Sequence, residues 1–105
     1  MASVRYLVDD VDRAVAFYTG LLGFTQVERW GAAFAAVARG DLTLWLSGPG
    51  TSAWQAMPDG RTPGPGGWNR LVVSSEDLDA DVTRLRAAGV RFRNESVTGP
   101  GGKQI

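Results

Sequence analysis

Hydrophobic and polar positions follow two rhythms along this chain. Residues 3–8 change character at each step and run into Asp9 and Asp10, as a half-buried strand would. Asp10 stands where a helix N-cap belongs, with Asp12 near the positive helix end. Val11, Val15, Tyr18 and Leu22 recur at i, i+4, i+7 and i+11. They form one apolar stripe, which Ala14 and Leu21 widen. Gly23 follows as the helix stop. Beyond it, residues 24–30, 32–38 and 42–47 read as three strands, and Arg39-Gly40-Asp41 reads as a tight turn between the last two. The first 47 residues thus predict one strand, one helix and three more strands, or βαβββ.

Residues 48–67 break both rhythms. They are crowded with Gly and Pro and have no periodicity, which marks a connecting loop. Trp54, Met57 and Trp68 lie in or beside it, and large apolar groups in a loop cover something, either core or a ligand site. The pattern then restarts. Residues 68–75 read as a strand, Asp77 caps a helix with a Leu78, Val82 and Leu85 stripe, Gly89 ends it, and residues 90–95 read as another strand. A shift of 67 carries Asp10, Val11, Asp12 and Val15 onto Asp77, Leu78, Asp79 and Val82. The repeat predicts one domain over 1–105, with a first module at about 1–47, a linker at about 48–67 and a partial second module at about 68–105.

Composition narrows the chemistry. Eleven basic residues balance eleven acidic ones, which argues against a nucleic-acid partner, since that needs a basic excess. There is no Cys and no His, so thiolate chemistry and the commonest general base and metal ligand are absent. No apolar run approaches the ~20 residues of a membrane span. The N-terminal residues lack a signal pattern, so the expectation is a cytoplasmic protein with no membrane partner. Lys103 is the only Lys, and with abundant Ala and Gly this bias points to a GC-rich bacterial genome.

Asp10, Asp12, Ala14, Phe17, Tyr18, Leu22, Gly23 and Phe24 spell D-x-D-x-A-x-x-F-Y-x-x-x-L-G-F. With the second copy after Asp77, this resembles the vicinal oxygen chelate superfamily of glyoxalase I, bleomycin- and fosfomycin-resistance proteins and extradiol dioxygenases. The resemblance implies an α+β fold of paired βαβββ modules whose sheets curl around a concave cavity. It also implies strands beyond the Gly-Gly-Lys-Gln-Ile ending, so that the second module is incomplete at the C-terminus. An unfinished sheet edge leads to the expectation of a homodimer with an apolar contact above ~1,000 Å².

Family members that use a metal place ligands on the first and last strands of each module. The resemblance puts Ser3, Trp45 and Arg70 at three of those four positions, with Thr43 and Ser47 beside Trp45. Such residues are not a metal set, so no metal and no cofactor is expected. Asp9, Asp10 and Asp12 look like a metal cluster, but helix capping explains them more simply. The Gly-Pro-Gly-Gly stretches at 64–67 and 99–102 read as turns rather than phosphate loops.

Strand parity sends Leu42, Leu44 and Leu46 toward the helices and Thr43, Trp45 and Ser47 to the other face. Ser3, Arg5 and Leu7 join that face, and Arg70, Val72 and Ser74 are their counterparts in the second module. The candidate ligand-binding residues are therefore Ser3, Arg5, Trp45, Ser47, Trp54, Trp68, Arg70 and Val72. They suit a small planar or anionic molecule, held by Arg through paired hydrogen bonds and by Trp through stacking. An interior role remains open, with Arg5 and Arg70 pairing to acids such as Glu28 or Glu95. Functionally the residues favour metal-independent small-molecule binding. The alternatives are a metal-dependent lyase, isomerase or dioxygenase of the glyoxalase type, or a pocket enzyme using Arg electrostatics alone.

Overall fold

Asp10 opens the first helix as its position predicts: its carboxylate accepts the Arg13 N–H at 3.0 Å, satisfying one of the helix's orphan donors. The computed structural model describes residues 2–105. Strand β1 is Ala2–Leu7, helix α1 Val11–Leu21, and strands β2, β3 and β4 are Thr25–Trp30, Phe34–Arg39 and Leu42–Ser47. After a short 3-10 turn at Ser52–Trp54 come helix α2, Leu78–Ala87, and strands β5, Val97–Gly99, and β6, Gly102–Gln104. No helix among the described residues is long and apolar enough to cross a membrane. The chain divides into two compact units, one up to Asn69 and one from Arg70 to Ile105.

The first unit is the βαβββ module that the sequence predicts. Its sheet runs β1-β4-β3-β2, with β1 parallel to β4 and the other neighbours antiparallel. Two glycines make the local geometry possible. Gly23 takes φ 74° just past α1, and the Leu22 and Phe24 N–H groups both return to the Tyr18 carbonyl, at 3.2 and 3.1 Å. Gly40 takes φ 57° at the first of two residues between the paired Arg39 and Leu42, as a two-residue type II′ hairpin requires.

Helix α1 packs against β2, β3 and β4. The fully buried Ala35, Val37, Leu44 and Leu46, with Val11 and Phe24, form this core. Arg29 of β2 pairs with Asp12 of α1 across its edge. Tyr18 stands edge-on to both Phe17 and Phe24, each with ring centroids 5.3 Å apart. Burial, and then the neighbouring Tyr6, push its phenol above the usual range. Gly48 marks the closest approach between helix and sheet. Its N–H donates to Ala33 O at 2.8 Å, and a Cβ there would lie 2.8 Å from Val11 Cγ2 and 3.2 Å from Ala33 O.

In the second unit, Asp77 accepts the Ala80 N–H at 3.0 Å and Gly89 takes φ 91° after the helix. Asp79 and Asp81 lie in the first turn of α2, Arg84 and Arg86 in the last, signs that suit the helix dipole. Lys103 of β6 reaches Asp79 at 2.7 Å, and Arg86 reaches Glu95 at 3.1 Å while lying over Phe92. The stretch at 99–102 is a turn, joining β5 to β6.

Two expected strands do not form: residues 68–75 and 90–95 lie outside any ladder. The cause is a missing partner. In the first unit β1 pairs only with β4, and the second unit holds no fourth strand for 68–75 to join. The β5–β6 ladder runs from the Val97–Gln104 pair to the Gly99–Gly102 pair and does not include 90–95. Alternation survives without pairing, since Leu71 and Val73 are half-buried while Arg70, Val72 and Ser74 are exposed.

Two outcomes follow from this packing. Gly48→Ala forces Val11 or the Ala33 backbone to move, and should lower stability by about 1–3 kcal/mol, read as a lower midpoint in urea. Tyr18 has the higher phenol pKa in the folded state, so the folded chain holds that proton more tightly. Its contribution is present below the unfolded value near ~10 and is lost as pH rises through the folded one. Thermal melts above about pH 9 should therefore fall less steeply for Tyr18→Phe than for the parent.

Candidate functional site

The sheet face opposite α1 is where the sequence-derived residues meet. The parallel register sets Arg5 beside Trp45, Ser3 beside Thr43 and Leu7 beside Ser47. Arg5 Nη1 donates to Ser47 Oγ at 3.1 Å, and the guanidinium carbon lies 5.1 Å from the Trp45 ring centroid. Ser47 Oγ in turn donates to the Trp45 carbonyl at 3.1 Å. The hydroxyl thus spends its one proton on the backbone and offers a lone pair to Arg5. Ser47 is fully buried, and Thr43 and Ala36 nearly so. Small residues make the floor of this face, and larger ones stand up around them.

Three residues missed by the sequence reading extend the row. Phe34 packs edge-on to Trp45 with centroids 6.1 Å apart. Trp30 opposes Phe34 across the β2–β3 ladder and is 67% exposed. Its indole N–H donates to Glu28 Oε1 at 2.7 Å. Parity within 34–38 was available as a signal, but assigning it to a face needs the turn at Gly40 and the irregularity between Gln26 and Glu28.

The remaining candidates are placed differently. Trp54 is half-buried and gives its indole N–H to the Ser47 carbonyl at 2.9 Å, pinning the 3-10 turn to the end of β4. Ser3 is exposed on the first strand. Trp68 projects into solvent, 88% exposed. Arg70 and Val72 are exposed residues of the second unit. The interior pairings considered for the arginines are not formed. Glu28 accepts from Trp30, Glu95 pairs with Arg86, and no ion pair among the described residues includes Arg5 or Arg70.

Chemically, Arg5 has one donor engaged and others free, on a guanidinium whose carbon lies over an aromatic ring. That suits a planar oxyanion, which takes two parallel N–H bonds. To a divalent metal the same face offers a cation, an indole and a hydroxyl already donating elsewhere, a poor match to any usual ligand set. Among the described residues no three His, Cys, Asp or Glu side chains come together as a metal-holding group.

The sequence matches the family model described as Glyoxalase/Bleomycin resistance protein/Dioxygenase superfamily over residues 1–105. The chain belongs to that superfamily. No curated protein matches the sequence. Among solved structures, a superfamily member from Sphaerobacter thermophilus is 27% identical, with TM-score 0.71, covering 97% of this chain and 81% of its own. A lactoylglutathione lyase from Agrobacterium tumefaciens is 20% identical, with TM-score 0.69 and coverage of 97% and 78%. A bleomycin resistance determinant encoded on transposon Tn5 is 21% identical, with TM-score 0.63 and coverage of 97% and 81%. At such identities the last two relate to this superfamily member through the fold alone.

Proposed function

We propose that this superfamily member binds a small planar organic anion on the open sheet face, without a metal. One observation carries the reading: Arg5 is oriented by Ser47 Oγ and lies over the Trp45 ring, with no carboxylate pairing it among the described residues. By contrast, Arg29 is neutralised by Asp12 and Arg86 by Glu95. In this reading Arg5 takes the carboxylate or phosphate, Trp45 and Phe34 take the ring, and the exposed Trp30 bounds the far side. Ser47 and Trp54 act as positioning residues, and Ser3 adds a hydroxyl along the first strand. Trp68, Arg70 and Val72 are not needed for it.

The test uses benzoate and phenyl phosphate as probes, followed by indole fluorescence and calorimetry. The parent should bind at least one of them saturably, and Arg5→Gln should weaken binding by about 1.5–3 kcal/mol, the worth of a hydrogen bond to a charged group. Equal binding by parent and variant would falsify the assignment of Arg5. Metal independence has its own readout. Elemental analysis of protein purified without chelator should show no stoichiometric nickel, zinc or iron. One equivalent per chain would instead support a metal-dependent lyase, isomerase or dioxygenase.

A further inference from the structure

On the other side of β1 lies a recess that the function proposed above does not use. It has a volume of about 370 Å³, between the end of β1, the β1–α1 connection and the first turns of α1, with Pro65 and Gly66 at its rim. Such a volume falls within the range of small-molecule pockets. Tyr6, on the opposite parity from Arg5, lines it together with Phe17 and Tyr18, so its wall is aromatic. At the mouth stand Asp9, Asp10 and Arg13.

The three charges are not equivalent. Asp10 is committed to the helix, accepting the Arg13 backbone N–H. Asp12, two residues on and not part of the recess lining, is committed to Arg29. Among the described residues, Asp9 and the Arg13 guanidinium form no side-chain hydrogen bond or ion pair, either with each other or with another group. An apolar aromatic wall beneath one uncommitted carboxylate and one uncommitted guanidinium complements a ligand with both charges and an apolar tail.

We propose that this recess is a second binding site, for a free α-amino acid with an aromatic or large apolar side chain. The ligand ammonium meets Asp9, its carboxylate meets Arg13, and its side chain lies among Tyr6, Phe17 and Tyr18. An ammonium beside aromatic faces gains further from their negative quadrupoles. Tyr18 keeps its proton well into the alkaline range, so its hydroxyl stays neutral beside the ligand. Opposite charges set apart at the mouth select against simple acids and simple amines, because either one leaves a charge of the site unpaired.

The test titrates the isotopically labelled protein with L-phenylalanine, and compares 3-phenylpropionate and phenethylamine, which lack one charge each. L-Phenylalanine should bind saturably in the millimolar range or tighter, with the largest NMR shifts at Asp9, Arg13, Phe17 and Tyr18. At the recess, followed through the shifts of those four residues, each one-charge analogue should bind about tenfold more weakly or worse. Asp9→Asn and Arg13→Gln should each cost a similar factor while leaving the melting temperature near the parent's, since neither side chain caps or pairs in the fold. Arg5→Gln should leave the shifts at Asp9, Arg13, Phe17 and Tyr18 unchanged, which separates this site from the anion site on the opposite face. Absence of saturable binding, equal binding by an analogue, insensitivity to both recess variants, or loss on Arg5→Gln would each overturn the proposal.

Discussion

The parallel pairing of β1 with β4 is the constraint on which the first unit depends. It joins residues about forty positions apart, Ala2 with Leu42 through Leu7 with Ser47, and so closes a long loop at considerable entropic cost. Ser47 is where that closure is secured. Its carbonyl accepts the Val8 N–H at 3.0 Å and the Trp54 indole at 2.9 Å, and its hydroxyl links Arg5 to the Trp45 backbone. A slip of β1 by one residue would turn Arg5 toward the helix and Tyr6 toward the open face, while the β3–β4 ladder keeps Trp45 where it is. The contacts at Ser47 oppose such a slip, because a buried hydroxyl and carbonyl would then lose their partners.

Once this register is set, the two faces of the sheet have different chemistry. Toward α1 lie Leu44, Leu46, Val37 and Ala35, all fully buried. Gly48 lets the helix start approach within contact of the strand end. On the open face, buried positions hold small or hydroxyl-bearing side chains, and the bulk is carried by Arg5, Trp45, Phe34 and Trp30. A face built only for stability would bury the aromatic residues among these and put an apolar side chain in place of Arg5. Instead it leaves Trp45 more than a third exposed and Trp30 two-thirds exposed, which is costly unless something covers them.

What the sequence disclosed follows the range of the forces involved. Asp10, Gly23, Asp77 and Gly89 act within a turn of their own position, so both helices and their ends were legible from local pattern. Parity on β1 and β4 was enough to bring Arg5, Trp45 and Ser47 together, since adjacent parallel strands keep the same alternation. Phe34, Trp30 and Glu28 needed the hairpin register and its irregularity near Gln26, which alternation does not encode. Residues 68–75 and 90–95 carry genuine strand patterns, yet a strand exists only with a partner, and the described residues supply none. Trp68 and Arg70 could not be placed from sequence for the same reason.

The arginines show how identical side chains are put to unlike uses. Arg29, Arg61 and Arg86 each meet a carboxylate at 3.1 Å or less; exposed pairs of this kind contribute little, about 0–1 kcal/mol each. Arg5 is held by a neutral hydroxyl and an indole face, interactions worth about 0.5–1.5 kcal/mol each at such positions. Those contacts fix direction without cancelling charge. A side chain restrained in this way has already lost part of its rotamer freedom, so an arriving anion need not supply that entropy. Neutralising Arg5 with a nearby acid would give comparable stability and remove its attraction for an anion. Arg5 is therefore better explained by what it leaves available than by the strength of its own contacts.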